Sequence, residues 1–221
     1  MQQDQWTACD RYVAEHLIDE GEAQAQTLKA NAAAGLPQID VSAPQGKMLH
    51  ILARTLRPKR ILEIGTLGGY STVWLARALE PDGRVVTLEI DEAHATVAAA
   101  NIAHQGFGAS VDIRVGAALD LLPGLAAEGF HPIDFAFIDA DKENNAAYFR
   151  WAAQHVRPGG LIVVDNVIRE GGVIDPANQT PMVVGTRALY AAVAAERRVT
   201  ATVVQTVGAK GWDGFLLASV N

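Results

Sequence analysis

The chain of 221 residues contains a single cysteine, Cys9, which excludes an internal disulfide and any cysteine-built zinc centre. A lone cysteine near a helical start reads as a small hydrophobe. There is no run of Lys or Arg, and 18 basic residues stand against 25 acidic ones, for a net charge of −7. That composition offers little to a phosphate backbone or an anionic membrane surface, so neither nucleic acid nor membrane is an expected partner. No apolar stretch approaches the length of about 18 residues that a transmembrane helix needs. The opening segment, MQQDQWTACDRYVAEHLIDE, is polar and acidic and lacks the basic start and apolar core of a secretory signal. A cytoplasmic location is therefore expected. Low-complexity tracts and periodic repeats are also missing. What the chain does have is apolar content: 49% of its residues. A chain of this length can bury roughly 70% of the surface its unfolded form exposes, so one domain spanning 1–221 is expected.

Short apolar runs alternate with helical patterns. Strands are expected at 60–65, 84–90, 111–115, 133–139 and 160–166, and helices at 71–80, 91–106, 118–129 and 142–156. Pro123 is expected to break the third of those helices. The strands are nearly continuous apolar runs, which implies burial on both faces and a parallel sheet covered by helices on each side. A helix at 181–198 then leads into strands at 199–207 and 214–220, close enough in the chain to pair only as an antiparallel hairpin at the sheet's edge. Two further helices, at 4–30 and 44–57, precede this core. The expected organisation is N-terminal helices over about 4–57 and an α/β core over about 60–221.

In an open α/β sheet, ligands bind at the carboxyl ends of the strands near the point where strand order reverses. The promising polar residues all fall at such ends. The first strand runs into Gly65-Thr66-Leu67-Gly68-Gly69-Tyr70-Ser71, a loop whose glycines let a ligand approach the backbone ahead of a helix start. Leu67 occupies the second glycine position of the dinucleotide fingerprint, which argues against a pyrophosphate. By itself the loop could be a plain tight turn. Glu89, 24 residues after Gly65, suits the two hydroxyls of a ribose, or alternatively serves as a helix-start acid. Together, loop and acid point to a nucleoside-bearing cofactor. A second set, Asp139, Asp165 and Asn166, brings three oxygen side chains from two strand ends and suits a hard cation such as Mg²⁺, Mn²⁺ or Ca²⁺. The alternative is that these acids cap the following helices, a role that fits Asp141 better than Asp139. The alternative for Lys142 is a solvated surface lysine.

The stretches RILEIGTLGGYS, VVTLEIDE, FIDADK and LIVVDNV resemble the cation-dependent O-methyltransferases that use S-adenosylmethionine, including catechol O-methyltransferase, the plant caffeoyl-CoA enzymes and their bacterial relatives. The resemblance covers roughly residues 36–170 and implies a Rossmann-like methyltransferase fold with a seven-stranded, mostly parallel sheet. It also implies roles for particular residues. Glu63, Gly65, Thr66, Tyr70 and Ser71 would surround the methionine part of the cofactor with Val41 nearby, Ser71 bonding its carboxylate. Glu89 would hold the ribose, Ile90 would lie against adenine, and Gly116, Ala117 and Ala118 would close over it. Asp139, Asp165 and Asn166 would hold the cation, and Lys142 would be the general base, with Asp139 beside it at the reacting centre. The implied reaction moves a methyl group to a phenolic oxygen of a small vicinal-hydroxyl substrate, and the family implies a homodimer.

There are departures from the family pattern. Ala118 and Leu119 stand where the catechol enzyme carries polar side chains, and Ala140 follows Asp139 where aromatic gatekeepers would be looked for. Residues 169–180 and 209–213 match no part of the pattern. Two rival readings remain: an NAD(P)-dependent oxidoreductase on a similar sheet, and a non-catalytic module that keeps the nucleoside site. Methylation of RNA is disfavoured by the acidic charge balance.

Overall fold

The computed structural model describes residues 2–19 and 21–221. Three helices open the chain: α1 (Gln2–Leu17), α2 (Gly21–Ala33) and α3 (Ala43–Thr55). The stretch 4–30, expected as one helix, is thus two, and Glu20 within it lies outside the described residues. The core then alternates: β1 (Arg60–Ile64), α4 (Tyr70–Ala76), β2 (Arg84–Glu89), α5 (Glu92–His104), β3 (Val111–Val115), α6 (Ala118–Ala127), β4 (Ile133–Ile138), α7 (Asn145–His155), β5 (Val156–Asp165) and α8 (Pro181–Ala195), followed by β6 (Val199–Gly208) and β7 (Gly211–Val220). A 3-10 turn, Lys142–Asn144, precedes α7, and a second, Arg169–Ile174, follows β5.

The seven strands form one sheet in the order β3-β2-β1-β4-β5-β7-β6. All neighbours from β3 to β5 are parallel, and β7 is antiparallel to both β5 and β6. Strand order reverses between β1 and β4, which is where such sheets place ligands. Burial follows position in the sheet. β1, β2, β4 and the carboxyl half of β5 are buried on both faces, because helices cover each side. β3 is half-buried and β6 largely exposed, because each forms an edge. One face packs Leu62, Ile64, Leu88 and Ile138 against Leu122 of α6, Phe149 of α7 and Leu189 of α8. The other packs Ile61, Val85, Phe135 and Phe137 against Leu49 of α3 and Trp74 of α4.

Three local expectations are revised. α6 runs unbroken through Pro123. The proline removes one hydrogen bond, but Leu122 and Leu125 beside it are buried to within 1%, and that packing holds the helix together. β5 starts at Val156 rather than 160, with an irregularity in its pairing to β4. β7 starts at Gly211, so Trp212 and Asp213 pair with Val207 and Thr206 instead of forming an insert. Among the described residues, no helix is long and apolar enough to cross a membrane.

Candidate active site

Register places the site. Ile64 pairs with Leu88 on one side and Ile138 on the other, and Ile138 pairs with Val164. The next residues outward, Glu89, Gly65, Asp139 and Asp165, therefore form a row across the carboxyl ends of β2, β1, β4 and β5. Strand twist and a two-residue side-chain period make this row follow from the buried register behind it.

Gly65 is the pivot of the row. It has φ +97°, and an added Cβ would collide with the Asp139 carbonyl oxygen. Only glycine lets the β1 and β4 ends approach this closely. Gly65→Ala is expected to destabilise the fold by roughly 1–3 kcal/mol, the scale of a residue held at a forbidden φ. A urea midpoint equal to wild type would refute this close packing.

The loop after Gly65 is held from three sides. Glu89, at the end of β2, accepts from the backbone N–H groups of Thr66 and Leu67 at 3.1 and 2.8 Å, and from Asp91 N–H at 3.0 Å. Glu89 is 7% exposed; it pins the glycine loop. Ile90 beside it is 73% exposed, an apolar side chain left open at the strand end. Beneath the loop, Glu63 is fully buried and accepts from the hydroxyls of Ser71, Thr72 and Thr87 at 2.6, 2.5 and 2.7 Å. From α2, Asn31 accepts from Asn101 at 2.9 Å, and Asn101 also donates to the Gly68 carbonyl at 2.9 Å.

These contacts place several of the expected site residues. The Ser71 hydroxyl donates to Glu63. Glu63 lies behind the loop rather than open to a ligand. The Thr66 side chain is also turned inward, its hydroxyl 2.6 Å from that of Thr87. Tyr70 and Val41 are buried together with Trp74 and Leu49. Ala118 packs into the core, while Ala117 ahead of it is exposed; the Gly116 N–H donates to the Glu89 carbonyl at 2.8 Å and ties β3's end to β2's.

Burial pushes the Glu63 carboxyl up to about 7, although its three hydroxyl partners pull the other way. An acid whose folded-state pKa is raised binds more protons when folded. Stability is therefore greatest below the unfolded value of 4.5 and is lost as pH rises towards about 7. The full difference corresponds to roughly 3 kcal/mol. Glu63→Gln is expected to flatten the pH dependence of urea stability across that window; a slope as steep as that of wild type would assign the effect elsewhere.

At the other end of the row, Asp139 accepts from the Lys142 ammonium at 2.7 Å. Lys142 is only 7% exposed, which excludes the solvated-lysine reading. Asp141 makes no capping bond to the backbone of the following helix; it accepts instead from the Tyr148 hydroxyl and the Asn144 amide, each at 2.6 Å. Asp165, 6% exposed, accepts from Gln45 Nε2 at 2.6 Å and from the Asn166 backbone at 2.8 Å. Burial and the facing Asp139 hold its carboxyl well above the usual carboxylate range. Asn166 has φ +57°, a conformation asparagine tolerates better than most residues. A cavity of about 250 Å³ opens at Asp165 and Asn166, walled by Gln45, Met48, Glu170 and Trp212. Among the described residues, no three His, Cys, Asp or Glu side chains gather as a metal set; the candidate set is two carboxylates and an amide.

The sequence reading missed Gln45, although it lies in the stretch that opens α3. It also missed the Asn31–Asn101 pair. The signal for Gln45 and Asn101 was an amide in a helix whose buried positions are otherwise small or apolar; Asn31 shares α2's buried face with Gln24 and Thr27.

Together, the strand order, the antiparallel β7 between β5 and β6, and the row at the strand ends define a Rossmann-like methyltransferase fold. A family model described as O-methyltransferase matches residues 14–219. The chain belongs to that family and is an enzyme of it. It is 48% identical over 212 residues to the catechol O-methyltransferase of Niastella koreensis, covering 96% of each chain. The O-methyltransferase of Bacillus cereus, solved in complex with SAH, superposes with a TM-score of 0.97 at 52% identity, over 99% of this chain and 100% of that one. The O-methyltransferase TomG of Streptomyces achromogenes, involved in tomaymycin synthesis and solved with SAM, superposes with a TM-score of 0.96 at 48% identity, over 100% of this chain and 99% of that one.

Proposed function

We propose that this enzyme transfers the methyl group of S-adenosylmethionine to one hydroxyl of a small catechol-like substrate held at a divalent cation. The observation that carries the reading is the meeting of Lys142, Asp139, Asp165 and Asn166 at the ends of two neighbouring strands. The donor set fits a cation. Two carboxylates lie near enough to repel, and the one ammonium beside them bonds Asp139, so the burial of Asp165 is costly while its charge lacks a closer counter-ion. Among the described residues, none hydrogen-bonds the Asn166 amide, which can supply a third oxygen. Oxygen ligands suit a hard ion, with Mg²⁺ the first choice and Mn²⁺ or Ca²⁺ acceptable.

The sulfonium donor supplies an electrophilic methyl, and the cation would polarise the substrate hydroxyls. The remaining roles belong to the chain. Glu89 would take the ribose hydroxyls, with Ile90 against the adenine. Gly65 lets the backbone come close enough to seat the donor beside Asp139. Asp139, Asp165 and Asn166 would hold the ion and thereby aim the substrate. Lys142, once its ammonium has given up a proton to solvent, would take the departing phenolic proton at Nζ. Its near burial keeps bulk water from competing for that proton. Alignment of two reactants in one site is worth ~7–11 kcal/mol of barrier.

The test is methyl transfer from labelled S-adenosylmethionine to 1,2-dihydroxybenzene, with Mg²⁺ and with chelator. Transfer that requires the ion is expected. Equal transfer in excess chelator would remove the cation from the reading. A thermal shift with NAD and none with S-adenosylmethionine would favour the oxidoreductase instead.

A further inference from the structure

The cavity at Asp165 and Asn166 does not end there. A second volume of about 540 Å³ lies between α1, α2, the segment 36–44 and the β6–β7 turn. Asp10, Ser42, Pro44 and Lys210 line both, so the two volumes meet at that throat. The smaller alone falls below the roughly 300–1,000 Å³ usual for small-molecule sites, and the two together fall within it.

The larger volume is lined chiefly by small and aliphatic side chains, among them Ala14 on α1, Leu28 and Ala32 on α2, and Leu36 beyond it. Leu28 is 36% exposed, whereas Gln24 and Thr27 of the same helix are buried. At the throat an acid and a base each hydrogen-bond backbone. Asp10 accepts from the Ala209 N–H at 2.8 Å, and Lys210 donates to the Gln38 carbonyl at 3.0 Å. Arg11, Lys29 and Asp40 also reach the larger volume, so the apolar part of its wall is what an uncharged chain would cover.

We infer that the physiological substrate is a phenol bearing an extended, uncharged apolar arm, with its vicinal hydroxyls at Asp165 and Asn166 and its arm in the cavity between α1 and α2. This rests on the reaction proposed above. The arm lies far from the reacting oxygen and contributes the same contacts before and during transfer. It therefore lowers KM and leaves kcat alone.

The test is steady-state kinetics on 1,2-dihydroxybenzene and its 4-alkyl derivatives from ethyl to hexyl, for wild type, Ala14→Trp, Ala32→Trp and Leu28→Ser. In the wild type, KM should fall roughly two- to fourfold per methylene, the scale of burying a CH₂. The two tryptophan variants should lose that gradient by filling the cavity, and the serine variant should weaken it. All three should keep wild-type turnover of the unsubstituted diol and wild-type calorimetric affinity for S-adenosylmethionine. Turnover of the diol with no dependence on chain length would overturn the inference and leave the reaction standing. Weakened S-adenosylmethionine binding in the tryptophan variants would assign the cavity to the cofactor, since Val41 and Tyr70 also line it, and would equally overturn it. No methylation of any member would overturn the reaction and the arm together.

Discussion

Lys142→Met is expected to lower kcat by about 10²–10⁴, the usual loss when a positioned base is removed, with S-adenosylmethionine affinity unchanged. Methionine keeps the length and apolar stem of lysine, so the nearly buried pocket stays filled while the proton acceptor is lost. A base is needed less as the phenol becomes more acidic. The deficit should therefore shrink for nitro-substituted diols relative to the parent diol, which loss of packing alone would not produce. The ammonium also balances Asp139 at 2.7 Å. Its removal leaves two facing carboxylates, and tighter rather than weaker cation binding is the expected secondary effect. A uniform deficit across diols of different acidity would make Lys142 a counter-ion and not a base.

Asp165→Asn is expected to abolish cation-dependent turnover and to weaken cation affinity by more than about 100-fold, since even residues that only orient ligands cost 10–100-fold. The stability of the ion-free protein should move the other way. Asp165 is buried beside Asp139, and a buried carboxylate without an ion is costly. An amide of the same shape removes that cost, so the thermal midpoint without cation should stay level or rise. Loss of activity together with retained or improved stability is the pattern of a residue kept for binding rather than for folding. The same chemistry sets a pH dependence in the wild type. A carboxyl held above its usual range must lose a proton before it ligates, so cation affinity should decline as pH is lowered from neutral. Calorimetric titration with Mg²⁺ or Mn²⁺ at several pH values checks this; affinity that stays constant on acidification would place the ion elsewhere.

Much of this site was legible in the amino-acid sequence. Glu89, Gly65, Asp139 and Asp165 each end an apolar run, and an apolar run of five or six residues is enough to mark a strand's buried part and its exit. The resemblance then tied those exits to one chemistry. The inward-turned groups were not legible. That Ser71 serves Glu63 depends on an acid eight residues earlier being buried beneath the loop. The same residue types at the same spacing would read as a ligand contact had Glu63 been open. Leu119, exposed at the start of α6, was readable only as a departure from the family pattern, because an exposed aliphatic side chain has no signature in a single sequence.

The order of polar residues at strand ends, the parallel core and the antiparallel closing hairpin came from local pattern alone, because side-chain period and apolar burial act over a few residues. Only the tertiary structure brought Gln45 onto Asp165, 120 residues away. It also folded residues 168–171 against Trp212 and Asp213, through the backbone bonds of Ile168 and Arg169 to the Asp213 carboxylate and the close approach of Gly171 to the Trp212 ring. Those contacts wall the cavity, and they exist because β7 enters the sheet between β5 and β6. Strand order is a property of the whole packed sheet and is not set by any local stretch of chain.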